Sequence, residues 1–146
     1  VQNMMHYAVT HQTAAEIVYD RADAEKPHMG LMTWKNAPDG RVIKSDVTIA
    51  KNYLSEQEVD ELNLLTTAFL DIAERRARRH VLTTMAEWKQ VLEHYLQVSD
   101  ADILPGAGTI SHELAESKAI EEYEKFRRIQ DQTLLSVFDK FIEDLK

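Results

Sequence analysis

Cysteine is absent from this 146-residue chain. Its absence excludes a disulfide framework, thiolate catalysis and thiolate metal ligation. Glycine and proline are sparse, at four and three, which argues against a disordered chain and against turn-rich all-β architectures. No apolar run approaches the roughly 20 residues that cross a bilayer, and no stretch resembles a secretion signal. A cytoplasmic protein without membrane contact is expected. Positive charge is also short, with 17 Lys and Arg against 25 Asp and Glu and a net charge of −8. That balance repels nucleic-acid phosphates on average. Gly-rich phosphate loops and nucleophile elbows are missing too, and the Pro105 to Gly108 stretch reads only as a helix connection. The chain opens on Val1, not Met, so the expectation is a single helical domain over residues 1–146, cut from the C-terminal part of a longer protein.

What is present is mostly helical punctuation. Thr13 with Glu16, Ser55 with Glu58 and Thr84 with Glu87 each place a hydroxyl three residues before a glutamate. In such a capping box the hydroxyl accepts from the third backbone N–H while the glutamate reaches back to the cap. The first box predicts a helix to about Asp23. The second opens the longest helix, with Val59, Leu62, Leu65, Phe69, Ile72 and Ala73 on one stripe. It ends in the basic run from Arg75 to His80, where positive charge suits a helix C-terminus. The third starts a helix whose inward face would be Met85, Trp88, Val91, Leu92 and Tyr95. A final helical region from Ser111 would turn Ala115, Ala119, Tyr123 and Phe126 inward. It would break near residues 131–136 before Leu134, Val137, Phe138, Phe141, Ile142 and Leu145 continue on a shifted stripe. That last stripe either docks back on the core or zips onto a second chain, with docking preferred.

Between residues 24 and 44 the helical pattern stops. Pro38, Asp39 and Gly40 form a turn signal, since proline presets φ, aspartate bonds its own backbone and glycine accepts positive φ. The flanking stretches 32–35 and 41–44 could pair as a hairpin or remain a loop. A short helix from Ser45 and Asp46 to about Tyr53 follows. The architecture expected is therefore all-α: an irregular multi-helix domain with one non-helical loop or short hairpin insertion at 24–44.

Polar residues crowd in the first third. Glu16, Asp20 and Asp23 fall at i, i+4 and i+7, so a continuous helix would carry three carboxylates on one face. Such a face could hold a divalent cation or supply acid and base, with His28 as proton carrier. A solvated surface fits equally well. Arg21, Trp34 and Lys35 are candidate ligand contacts: two cations for an anion and an indole as platform. His6 and His11 are five apart, which misses the i, i+4 spacing of a helical zinc pair, so no metal centre is assigned. No cofactor is expected beyond a divalent cation on the acidic face. The arginines between 75 and 79 could grip phosphate or carboxylate, or simply terminate a helix dipole and pair with Glu74.

Longer strings are more specific. TAAEIVYDRADAEKPHMGL at 13–31, with Thr33, Trp34 and Lys35, resembles the C-terminal part of the RhuM family of bacterial virulence-associated proteins. KSDVTIAKNYL at 44–54 and YEKFRRIQD at 123–131 extend the resemblance over most of the chain. It implies a longer protein with an N-terminal segment similar to phage-type DNA-binding modules, encoded in pathogenicity islands and other mobile regions. It brings no catalytic residues with it.

Two functions follow as expectations. In the first, the helical segment acts in oligomerisation or protein-partner binding, while a missing N-terminal part engages nucleic acid. In the alternative, the chain is an enzyme, a hydrolase or toxin-like activity on nucleic acid or nucleotides, with its site in residues 11–46.

Overall fold

A computed structural model of the chain describes residues 2–145. Among them are five α-helices and no strand: α1 Gln2–Thr10, α2 Ala14–Arg21, α3 Glu56–Arg78, α4 Met85–Val98 and α5 His112–Leu145. Short 3-10 turns at Pro27–Gly30, Lys44–Asp46 and Ala50–Tyr53 punctuate the segment between α2 and α3. The all-α class read from periodicity is the one observed.

The core assembles around α2. Ile17 and Val18 are buried on it, and α5 lies against it with Ala115, Ala119, Tyr123 and Phe126 facing inward. Two alanines at the crossing let the backbones approach, since a helix pair separates by the size of the side chains between them. Lys118 adds a polar clamp, donating to the Tyr19 carbonyl with its ammonium 4.6 Å from the Tyr19 ring centroid. On the opposite side α1 buries Met4 and Met5 against α3. Each such side chain contributes roughly 1.5–3 kcal/mol on leaving water.

The segment at 22–54 is not a surface excursion. Met29, Leu31, Trp34, Val42, Val47, Tyr53 and Leu54 are all buried, so this loop forms a wall of the core. It is also not a hairpin. The amides of Met32 and Thr33 donate to the Asn52 carbonyl at 2.8 and 3.3 Å, and Val42 is taken by the Gln130 side chain, which accepts from its N–H at 2.8 Å and donates to its carbonyl at 3.1 Å. With both edges engaged elsewhere, the two stretches cannot pair with each other. Nor does one helix run from Ser45 to Tyr53. Asp46 caps backwards onto the Ile43 N–H at 2.9 Å, which closes a single turn instead of opening a helix.

Three boundaries differ from the periodicity reading. Helix α2 stops at Arg21, because Ala22 is already extended (ψ 111°). Helix α4 buries Leu92 and Leu96, leaving Trp88, Val91 and Tyr95 half-buried and Met85 exposed. Helix α5 runs unbroken through 131–136, where no glycine or proline interrupts it. Beyond Asp131 its apolar side chains do not fold back on the body: Phe138 is 57% exposed, Phe141 59% and Leu145 70%. The preferred expectation of intramolecular docking is thereby overturned.

Candidate functional site

The capping box of α2 is formed as read. Glu16 receives the Thr13 N–H at 2.8 Å and its own N–H meets the Thr13 hydroxyl at 3.3 Å. The second Glu16 oxygen accepts from the Thr109 hydroxyl at 2.7 Å and the Thr109 N–H at 3.3 Å. Those bonds, the Thr13 backbone first and the Thr109 hydroxyl next, hold its carboxyl below the ordinary range. Glu16 thus ties the 105–109 connection down onto the start of α2. Gly108 makes the closeness possible: its φ is 87°, and a Cβ there would sit 2.7 Å from the Thr13 methyl.

The other acids have separate local partners. Asp20 is exposed and accepts from the Gln12 amide. Asp23 lies past the end of α2, where its side chain accepts from the Glu25 N–H at 3.0 Å and its own N–H donates to the Met29 carbonyl at 3.3 Å. Only Glu16 and Asp20 therefore share the helix. Among the described residues, no group of three or more His, Asp or Glu side chains is placed to hold a metal ion.

His28 sits in left-handed backbone (φ 53°), exposed, with its ring stacked 4.4 Å from that of Trp34. Trp34 itself is only 7% exposed and donates its indole N–H to the Gly40 carbonyl at 2.9 Å. Its surface is spent on packing, so it offers one covered edge and no open platform. Lys35 leaves its side chain in solvent, while its N–H donates to Asp46 at 3.1 Å. Asp46 is 4% exposed, and its two oxygens serve the amides of Lys35 and Ile43. It organises the whole turn, a role the sequence pattern did not disclose.

Arg21 points across to the start of α3. It donates to Glu58 through both terminal nitrogens at 2.7 and 2.9 Å, and to the Tyr53 carbonyl at 3.0 Å. The guanidinium holds the Glu58 carboxyl down at about 2, and the carboxylate raises the Arg21 pKa in return. Burial pushes the neighbouring Tyr53 phenol well up. Glu58 does double duty, since it also receives the Ser55 N–H at 2.9 Å in its own capping box. So Glu16, Asp20, Arg21, Asp23 and Trp34 each engage a separate partner, while the His28 ring stacks on Trp34 and Lys35 is exposed.

Concave surface occurs at other places. A groove of about 620 Å³ runs between α3 and α4, past Ile72, Arg76, Val91, His94, Tyr95 and Val98. A cavity of about 450 Å³ between α1 and α3 is bounded by Met5, His6, Lys51, Leu62, Asn63 and Thr66. The basic run at the end of α3 is spread out: Arg78 pairs with Glu74 at 2.7 Å, and Arg76 meets the Thr83 hydroxyl at 3.2 Å and lies 5.8 Å from the Trp88 ring.

Among the described residues, the last three turns of α5 carry a continuous exposed apolar stripe. At 100° per residue, Leu134, Phe138, Phe141 and Leu145 form a central line, with Leu135 and Ile142 on one flank and Val137 on the other. All seven are exposed. Asp139, Lys140 and Glu143 occupy the opposite side, and Asp144 lies beside Val137 on its flank. At its base the chain is fastened to the loop by an Arg41–Asp131 ion pair and the Gln130–Val42 bonds. A depression of about 530 Å³ lies there, lined by Arg41, Asp131, Leu134, Leu135 and Phe138.

The profile of the virulence protein RhuM family matches residues 1–134. No curated protein and no solved structure matches the chain. The match covers the strings that suggested the family and stops at the first residue of the exposed stripe.

Proposed function

The chain belongs to the virulence protein RhuM family, and from that premise we propose that it serves in the cytoplasm as a self-association module of a virulence-associated protein. The observation that carries this reading is the α5 stripe. Taking the exposures of its seven apolar residues, it presents roughly 700 Å² of apolar surface, beyond the ~300–600 Å² of the largest patch on a typical monomer. A patch of that size on a water-exposed helix calls for a cover. The net charge of −8 fits an arrangement in which contact with nucleic acid falls to another segment of a longer protein.

Sedimentation velocity across a concentration series tests the proposal. The wild-type chain is expected to dimerise at micromolar concentration. The double variant Phe138→Glu with Phe141→Glu is expected to remain monomeric with an unchanged circular dichroism spectrum of the body, because central aromatic residues carry most of an interface's energy. A wild-type chain that stays monomeric at 100 µM refutes the reading.

A further inference from the structure

We propose that two copies of this chain pair through their α5 stripes in antiparallel orientation, each C-terminal turn seated at the base of the other's stripe. The inference rests on the self-association reading and adds its geometry. Two stripes of roughly 700 Å² would remove up to about 1,400 Å² of surface from water, which reaches the ~1,200–2,000 Å² window of stable interfaces.

The central line is a palindrome in both residue type and spacing. Leu134, Phe138, Phe141 and Leu145 are separated by four, three and four positions. Reversing the helix about its midpoint sets Leu134 against Leu145 of the second copy and Phe138 against Phe141. Four apolar layers form with full overlap under one two-fold axis, as an isologous interface requires. The flanking Leu135 and Ile142 fall on the same side of the pair, two positions, about 3 Å, out of level with each other.

Charge and shape select this orientation over the parallel one. A parallel pair would bring the two C-terminal turns together, each with Glu143 and Asp144 and each carrying the negative end of its helix dipole. The antiparallel pair moves each acidic turn toward the other copy's base, where Arg128 lies beside Arg41 and Arg127, the latter two already paired with Asp131 and Glu124. At 1.5 Å per residue, the level facing Asp144 is about 10 Å from Arg128 before either side chain extends, somewhat beyond the ~8 Å Debye length at physiological salt, so the attraction is strongest at low salt. The depression of about 530 Å³ beside Leu134 and Leu135 is where the second copy's Leu145 would seat.

Because the chain contains no cysteine, single cysteines report orientation without background. Leu134→Cys and Leu145→Cys are made separately, one carrying a mass tag, and oxidised alone and as an equimolar mixture. The expected result is a mixed 134–145 disulfide dimer, with little cross-linking of either variant alone. A second measurement uses Glu143→Lys with Asp144→Lys, expected to weaken dimerisation at least fivefold by setting lysines against the arginines of the base. Self-linked Leu145→Cys, no disulfide in any mixture, or tighter dimerisation of the lysine variant overturns the antiparallel pairing while a sedimenting dimer leaves self-association intact. A wild-type chain without a dimer removes self-association itself.

Discussion

The Arg21–Glu58 pair is a point at which the fold's dependence on one charge can be measured. Replacing Glu58 by Gln keeps an oxygen within reach of the Ser55 N–H (2.9 Å) and removes the negative charge that faces Arg21, together with the second oxygen that accepts from Arg21 at 2.9 Å. A carboxyl lowered from 4.5 to about 2 gains at most about 3 kcal/mol, since a tenfold change in proton affinity corresponds to about 1.4 kcal/mol. The two side chains keep 28% and 23% exposure, so solvent trims the figure, and we expect about 2–3 kcal/mol at neutral pH. The sign follows from the direction of the shift. A carboxylate with a depressed folded pKa stabilises fully above its unfolded value near 4.5 and loses that contribution as pH falls toward 2. Urea unfolding of wild type and Glu58→Gln, at fixed protein concentration, should therefore show a gap that is constant from pH 7 to about 6. By linkage, less than about half of it should remain at pH 3. A gap that stays level down to pH 3 would refute the assignment of Glu58 stability to its charge.

Two further perturbations probe the loops. Asp46→Ala deprives the Lys35 and Ile43 amides of their acceptor; a loss of about 2–4 kcal/mol in urea unfolding, with faster amide exchange at both positions, is expected, and a loss under about 1 kcal/mol counts against its organising role. Gly108→Ala forces a side chain into left-handed backbone and against the Thr13 methyl; thermal unfolding should drop by several degrees, in line with about 1–3 kcal/mol, and an unchanged midpoint would mean the connection does not rest on α2.

What the sequence made legible was local. The boxes at Thr13 and Ser55 involve partners three residues apart, and both form. At Thr84 only half of the expected box forms: the hydroxyl accepts from the Glu87 N–H at 3.2 Å, without the return bond from the Glu87 side chain. The inward line of α5 through Ala115, Ala119, Tyr123 and Phe126 needed only the helical period. What stayed hidden depends on residues far apart in the chain. Gln130 reaches back 88 positions to occupy Val42, which is why the 24–44 insertion is a packed loop and no hairpin. Arg21 finds Glu58 at a separation of 37, and Glu16 finds Thr109 at 93. No spacing rule connects such pairs, and the last two put Arg21, read as a ligand contact, and Glu16, read as a site carboxylate, into structural ties. The shifted stripe after residue 131 was visible as amphipathic pattern. Pattern says that a face needs cover, and says nothing of whose atoms supply it.

That last distinction orders the molecule. One helix carries two apolar lines, and they differ in residue size as well as in exposure. Where α2 lies close, α5 presents alanine at 115 and 119. Beyond the Arg41–Asp131 fastening it presents leucine, isoleucine and phenylalanine that stay exposed. A stripe of roughly 700 Å² leaves on the order of 15 kcal/mol of potential burial unused, about the whole stability of an ordinary domain. Fourteen residues past the fastening also fall in the length range at which an isolated helix is marginal in water. A second copy laid along the stripe would remove both deficits together, since the packing that covers the phenylalanines is also what holds the last turns helical. On the proposed pairing, the tail would be half of an interface, built on one chain and completed by another.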